Sequence, residues 1–458
     1  MANRIDVTAV IDNQRLARFQ IVLVLMIAAA AFLEGFDSQL QGYTAPTLTK
    51  LWHISRSSYS PVFVFFQIGF MLGAVTLGNL GDIVGRRLTI ILGVLLFGLC
   101  TIAGAYATDV TTLTATRFLS AVFLGSAIPN SISLTIDYAP HRHRALWVGY
   151  LFISYTAGSS LGGVFAAWLV PSYGWQSIYW LCGVLSLGLG VLLYFRLPES
   201  VRFMALRHRT PQVLAATIRK LAPDLVITPD TEFVMPRSIE RRAWVGELFS
   251  EHRAAMTVAL WVAYGLSLMA LIFVTSWMPT IYSDSGMSYS TSVIATALFQ
   301  GGGIAGALFG GWVLDRERGI LSVSALCLAA VPALICIGQS AGTPALLMLL
   351  TAIAGFCIVG THTGLNALSG SLYPTALRST GAGWASGIGR VGAIIGPLLG
   401  ALLIGLHLSL PIVFLIVSAP SFCIAMALLV IHFARPGERD ARELPIGQPS
   451  GHATGGRG

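Results

Sequence analysis

Glu34 and Asp37 lie in Leu33-Glu34-Gly35-Phe36-Asp37-Ser38-Gln39, deep inside an apolar run, and of the 20 acidic residues only these two do so. Arg117 and Arg390 are their basic counterparts. On a helix, Glu34, Asp37 and Gln41 share one face. An unpaired carboxylate in hydrocarbon costs several kcal/mol, so both acids must face an interior and be protonated or paired. Two neighbouring carboxylates also raise each other's proton affinity, which suits a proton carrier. An arginine in such surroundings can hold a carboxylate through two parallel N–H bonds. This gives Glu34, Asp37 and Arg117 a proton-coupling role and makes Arg390 the anchor of an anionic ligand. The plainer alternatives are a structural ion pair on Arg117 and, for Arg390, a packing bond to backbone carbonyls or Gln300.

Neutral groups come next. Gln41, Gln67, Asn130, Gln300, His362 and Asn366 are polar residues in apolar stretches, and a few such groups in an apolar pocket orient a ligand. His362 and Asn366, four apart, share a helical face, although a lone histidine there is more often a packing residue. Tyr43, Trp277, Trp312 and Trp384 could stack on an aromatic ligand or mark the interfaces of a membrane.

The elements that position these residues follow from composition. The chain has 458 residues, is 55% hydrophobic and only 10% charged, and its mean hydropathy is +0.75. Soluble domains carry about 25% charged residues, so the solvent is lipid. Windows of about 20 apolar residues give twelve spans, at 19–45, 59–80, 88–107, 109–137, 145–170, 174–197, 254–281, 291–314, 320–339, 343–372, 379–406 and 409–433. The chain thus reads as an all-α polytopic membrane protein. A cytoplasmic segment (1–18) precedes a six-helix bundle (19–197). An Arg-rich, proline-broken linker (198–253) with short amphipathic helices leads to a second bundle (254–433) and a disordered cytoplasmic tail (434–458). The first span is too long and too acidic for a cleaved signal peptide.

Charge sets the orientation. The net charge is +8, and 24 of the 28 Lys and Arg fall on the face shared by the N-terminus, linker and tail. The opposite face has Lys50 and Arg56. This bias places both termini in the cytoplasm. It also explains the basic residues without nucleic acid, since no groove with stacking aromatics gathers them. The six cysteines all sit in apolar runs with no CxxC spacing, so neither a disulfide framework nor a metal site is expected. With 1.5 Å per residue, Arg117 and Asp37 lie about 12 and 14 Å from the outer ends of their spans, a shared depth, and Arg390 lies near the midplane.

The two bundles are repeats. Pro140, Arg144, Gly149, Gly158 and Gly162 each recur 234 residues later as Pro374, Arg378, Gly383, Gly392 and Gly396. Gly78 and Asp82 recur at an offset of 233 as Gly311 and Asp315. Two such bundles in parallel orientation imply a site between them near mid-bilayer and alternating access by rocking. The glycines of the 158/162 and 392/396 pairs have the small-xxx-small spacing of close helix packing.

Gly78-Asn79-Leu80-Gly81-Asp82-Ile83-Val84-Gly85-Arg86-Arg87, between spans two and three, resembles the loop signature of the major facilitator superfamily. That resemblance implies the major facilitator fold. It also implies a cytoplasmic gate made of Gly78, Asp82, Gly85 and Arg86 with Asp137 at the end of span four. A topology-setting basic loop is the bland reading. The second copy is degraded, with Asp315 followed by Arg316-Glu317-Arg318. Three further segments narrow the resemblance to the aromatic acid:proton symporter family. They are the acidic segment of span one with Ala45-Pro46, then Arg117-Phe118-Leu119 with Leu124–Asn130, and finally Tyr373–Gly381 running on into Gly387–Gly392. Many members carry Asp where this chain has Glu34, and Glu occurs in transporters of hydroxyphenylpropanoate type. The resemblance implies a secondary transporter of the bacterial inner membrane, active as a monomer. It would import a small aromatic carboxylate of hydroxybenzoate or hydroxyphenylpropanoate type with protons and no other cofactor. Protonation of Glu34/Asp37 would free Arg117, the anion would bind at Arg390, and rocking would release the gate. No nucleotide-binding loop supplies ATP drive and no nucleophile–base arrangement suggests an enzyme. Two rivals stay open, a proton antiporter that exports drugs or metabolites and a non-transporting ligand receptor.

Overall fold

The computed structural model describes residues 4–13, 16–207, 211–222, 225, 231–234, 244–250, 253–314, 319–340, 342–374 and 377–434. Twelve of its helices are long and apolar enough to cross a membrane. In the first half they are α1 (Arg18–Leu51), a composite Ser57–Val84 span whose longest helix is α2 (Ser60–Val75), α3 (Arg86–Gly104), α4 (Val110–Tyr138), α5 (Arg144–Tyr173) and α6 (Gln176–Arg196). The second half holds α7 (Ala254–Asp284), α8 (Tyr289–Leu314), α9 (Gly319–Gln339), α10 (Pro344–Ser371), α11 (Arg378–Gly405) and α12 (Leu410–Ala434). Leu25, Leu185, Leu192, Phe195 and Leu402 stay exposed on outer surfaces, as helices in lipid require. Asp315 and its neighbours, much of the linker, and the tail from residue 435 lie outside the described residues.

Packing repeats between the halves. Helix α1 packs on α5 as α7 packs on α11, α2 on α4 as α8 on α10, and α3 on α6 as α9 on α12. The recurring glycines show the cause. A Cβ on Gly158 would stand 1.8 Å from the Phe32 carbonyl oxygen, and one on Gly392 would stand 1.9 Å from that of Gly265. Only a bare Cα lets the backbones approach so closely.

Two span limits differ from the sequence expectation. Helix α1 runs six residues past 45, straight through Pro46. Hydroxyls bond the carbonyls around the break: Thr44 bonds that of Leu40, Thr49 that of Ala45, and Tyr59 and Tyr289 donate to those of Gln41 and Tyr43. The second span continues to Val84, but its α-helix stops at Val75 and its last turns are a 3-10 turn (Gly78–Leu80) and a short helix (Gly81–Val84).

The halves meet at the face remote from the chain ends, here the far face. There Arg56 and Asp284 form a forked ion pair at 2.7 Å, Tyr289 donates to the Tyr43 carbonyl at 3.0 Å, and Ser290 to that of Ala167 at 2.7 Å. Phe63 meets Trp277 edge-on at 5.1 Å. At the opposite, terminal face, strand β1 (Arg4–Asp6) pairs in parallel with β2 (Glu232–Val234), and Asp12 accepts from the backbone N–H of His141. The linker also forms the two short helices Val201–Arg207 and Pro211–Leu221, the second amphipathic. Leu214, Ile218 and Leu221 are buried on its apolar side.

Candidate functional site

Asp37 and Arg117 form a fully buried ion pair within the first bundle. The guanidinium donates to Asp37 Oδ1 and Oδ2, both at 2.9 Å, to the Asp37 carbonyl at 2.6 Å and to Gln41 Oε1 at 2.9 Å. Both side chains are 0% exposed. Ser120 donates to Asp37 at 3.0 Å and Thr101 also bonds it. The Phe66 ring lies 4.9 Å and the Tyr179 ring 5.8 Å from the guanidinium carbon. Both carboxylate oxygens and all three guanidinium nitrogens thus have hydrogen-bond partners, which is what allows the pair to exist out of water. Arg117 is held by α4 and Asp37 by α1, at the common depth the helix lengths had implied.

Beside this pair a cavity of about 340 Å³ opens between the halves, at the low end of small-molecule sites, about 300–1,000 Å³. Its lining runs from mid-helix to within a few turns of the terminal face, for instance Gly149 on α5 and Leu308 on α8, so it extends away from the far face where the halves touch. Gln41, Gln67, Gln300, His362, Asn366 and Arg390 all line it. Arg390 lies over the Phe70 ring at 4.3 Å and has no hydrogen-bond or ion-pair partner among the described residues. The packing bond to Gln300 considered from sequence is not formed. His362 Nδ1 lies 3.2 Å from the Ser267 hydroxyl, and Asn366 accepts from the Tyr264 hydroxyl at 2.7 Å, so both amide and imidazole are held in place from α7.

Three expectations need correction. Glu34 and Asp37 do not act as one cluster: Asp37 turns into the bundle, whereas Glu34 faces the cavity and bonds neither Asp37 nor Arg117. Glu34 is 1% exposed and its Oε1 finds no hydrogen-bond partner. Being three residues apart leaves about 60° between their directions, enough to send them to opposite sides of a cavity wall. Gln41, bonded to Arg117, and Phe66, whose ring lies under the guanidinium, both touch the pair and the cavity. Next, none of the four suggested aromatics lines the cavity. Tyr43 is buried with its hydroxyl on the Ser159 carbonyl, Trp277 is buried on the Pro397 carbonyl, and Trp312 and Trp384 lie on exposed surfaces. The rings that do line it are those of Phe63, Phe66, Phe70, Phe152 and Tyr155. Lastly, Asn130 is not a cavity residue. It donates to the Gly78 carbonyl at 3.0 Å and docks the loop between α2 and α3, where Gly81 leaves it room.

That loop forms a network inside the first half. Arg86 bonds Asp137 and the Ser133 carbonyl, while its contact with the largely exposed Asp82 is longer, 3.4 Å. Sequence reasoning missed Glu199. Its carboxylate accepts from the backbone N–H groups of Arg86 (3.0 Å), Arg87 (3.1 Å) and Ser200 (2.8 Å), and Ser200 also bonds Asp137. Gly85 has φ +111°, and a Cβ there would lie 2.3 Å from Glu199, so geometry and space both exclude a side chain. The sequence signal was faint, a Pro198-Glu199-Ser200 step at the end of a span. Among the described residues no group of His, Cys, Asp and Glu could hold a metal ion.

Comparison with known proteins fits this architecture. The profile of the Major Facilitator Superfamily matches residues 27–389 and 260–453. A 4-hydroxybenzoate transporter, PcaK, of Pseudomonas aeruginosa is 39% identical over 405 residues, 88% of this chain and 90% of its own. A gallate transporter of Pseudomonas putida is 35% identical, covering 94% and 96%. A 3-(3-hydroxy-phenyl)propionate transporter of Escherichia coli is 27% identical, covering 82% and 85%. Among solved structures, the xylose transporter XylE of E. coli superposes with a TM-score of 0.67 at 14% identity, covering 91% of this chain and 98% of that one. A bacterial homolog of the human lysosomal transporter Spinster gives 0.67 at 15%, covering 92% and 96%.

Proposed function

Because the chain belongs to the Major Facilitator Superfamily, we propose that it imports a small aromatic carboxylate by proton symport with alternating access. The observation that carries this reading is Arg390, a cation without a hydrogen-bond or ion-pair partner among the described residues, in a mostly apolar cavity between the halves. Leaving a guanidinium there without an anion is costly, and a substrate carboxylate is a fitting partner. The Phe70 face screens it from one side and the apolar wall accommodates a ring. The named relatives carry aromatic acids, which agrees with this chemistry.

The buried pair supports a reading in which protons are coupled. A proton on Asp37 removes its charge and leaves Arg117 an uncompensated cation inside the bundle. An anion entering the adjoining cavity then balances the charge, so proton and substrate favour each other's binding. Gln41, bonded to Arg117 and lining the cavity, passes the rearrangement across. The bias of Lys and Arg toward the terminal face supports cytoplasmic termini, and the bacterial relatives support a location in the bacterial inner membrane. In that orientation the closed far face is the outer one, and the Arg86–Asp137–Glu199 network fixes the loop that must move when the inner side closes.

The test is uptake by reconstituted vesicles of labelled hydroxybenzoates, hydroxyphenylpropanoates, muconate and shikimate, with and without a protonophore. Accumulation of an aromatic acid that collapses with the proton gradient is expected. Uptake indifferent to the gradient, or binding without accumulation, overturns symport.

A further inference from the structure

Two ionisable side chains face the cavity from opposite halves without a hydrogen-bond or ion-pair partner among the described residues. Arg390 presents its guanidinium from α11, and Glu34, 1% exposed, presents from α1 a carboxyl whose Oε1 has no hydrogen bond. Of the neutral groups on the wall, Ser131, Gln67 and Gln300 show no hydrogen bond among the described residues, while the others named next are already engaged. Gln41 is bonded to Arg117, His362 to Ser267, and Asn366 to Tyr264. Ser38 accepts from the Tyr155 hydroxyl at 2.8 Å and donates to the Gly35 carbonyl. Glu34 and Arg390 do not neutralise each other by contact, and Tyr155 stands within electrostatic range of both. A ligand that carries only a carboxylate answers Arg390 and leaves Glu34 buried and unanswered.

We propose that Glu34 is the specificity residue that reads a ring hydroxyl on the substrate, so that the site selects hydroxylated aromatic acids over unsubstituted ones. The inference rests on the transport reading above, in which Arg390 holds the carboxylate. The substrate O–H donates to a carboxyl oxygen of Glu34. Because a carboxyl keeps an acceptor oxygen in either protonation state, this role is compatible with a part in proton movement. A site built to hydrogen-bond a hydroxyl discriminates strongly against the analogue that lacks it, because its buried polar group is then left unpaired.

The test is equilibrium binding to the purified full-length protein in nanodiscs without any gradient. Labelled 4-hydroxybenzoate is displaced by its unlabelled form, benzoate or 4-methoxybenzoate, which keeps the oxygen but lacks the donor. The wild type is expected to favour the hydroxy acid by about 10- to 100-fold over both analogues. In Glu34→Ala the ratio falls to within about 3-fold of unity, whereas Glu34→Gln, whose amide oxygen still accepts, keeps most of the preference. A wild type without preference, or a Glu34→Ala variant that weakens all three ligands equally, overturns the assignment while leaving carboxylate binding intact. If none of the three binds the wild type, the aromatic-acid reading itself falls, and this inference with it.

Discussion

At the scale of single residues, two charges carry different burdens. The Asp37–Arg117 pair is buried on every side, so deleting one partner strands the other. Asp37→Ala is expected to destabilise the protein by about 3–5 kcal/mol, and adding Arg117→Met should recover much of the loss. Thermal unfolding of the two variants in detergent measures both effects. Asp37→Asn, which cannot take up a proton, is expected to lose gradient-driven accumulation by at least about tenfold, and full uptake in vesicles removes Asp37 from coupling. Arg390 has no protein partner to lose. Arg390→Ala should therefore leave the melting temperature close to that of the wild type while weakening aromatic carboxylate binding by about 10- to 100-fold, as binding isotherms would show. The pair was legible in the sequence because charge inside an apolar span demands a partner at matching depth. Glu199 was not, since an acid in a polar connection is ordinary and only the fold aims it at the N–H groups of Arg86 and Arg87.

At the scale of elements, close backbone approaches set the helix positions. Gly392 faces the Gly265 carbonyl, and Gly392→Val would drive α11 off α7 and carry Arg390 with it. The expected result is loss of both stability and substrate binding, read by melting and displacement assays. Conservation of α7–α11 geometry in a variant crystal or cryo-microscopy structure would contradict it. The N-terminus of α4 offers a pH dependence. Asp109 caps it, and bonds from the Thr112 N–H and hydroxyl hold its carboxyl below the usual range. A lowered folded-state value means the capping contribution is present above about pH 4 and fades as pH falls through that lower value. The protection factor of the Thr112 amide, its exchange corrected for the intrinsic rate at each pH, should fall there in the wild type and be low at all pH values in Asp109→Ala. Most spans were legible from hydropathy alone. The run of α1 through Pro46 was not, because tyrosines from α8 and from the turn before α2 cap the carbonyls beside the break.

For the whole molecule, the decisive feature is where the halves touch. Arg56 and Asp284 clamp the far face, and Arg56→Ala should loosen it and raise the population open to that side. Distances between spin labels at the far ends of α1 and α7 should lengthen or broaden, and the charge-swapped double variant Arg56→Asp with Asp284→Arg should restore them. Unchanged distances in Arg56→Ala would show that Tyr289 and the Phe63–Trp277 contact hold the face without it. The sequence by itself determined the solvent, the twelve spans, the internal repeat and the short roster of intramembrane charges. These follow from local composition and from the penalty for charge in hydrocarbon, which operate whatever the fold. Only the tertiary structure decided that Asp37 is sealed inside a bundle while Glu34, one turn away, faces a cavity. It alone joined Arg56 to Asp284 and gave Asn130 to the loop rather than to the ligand. Such choices depend on which helix lies beside which face, and that is set by packing between segments far apart in the chain.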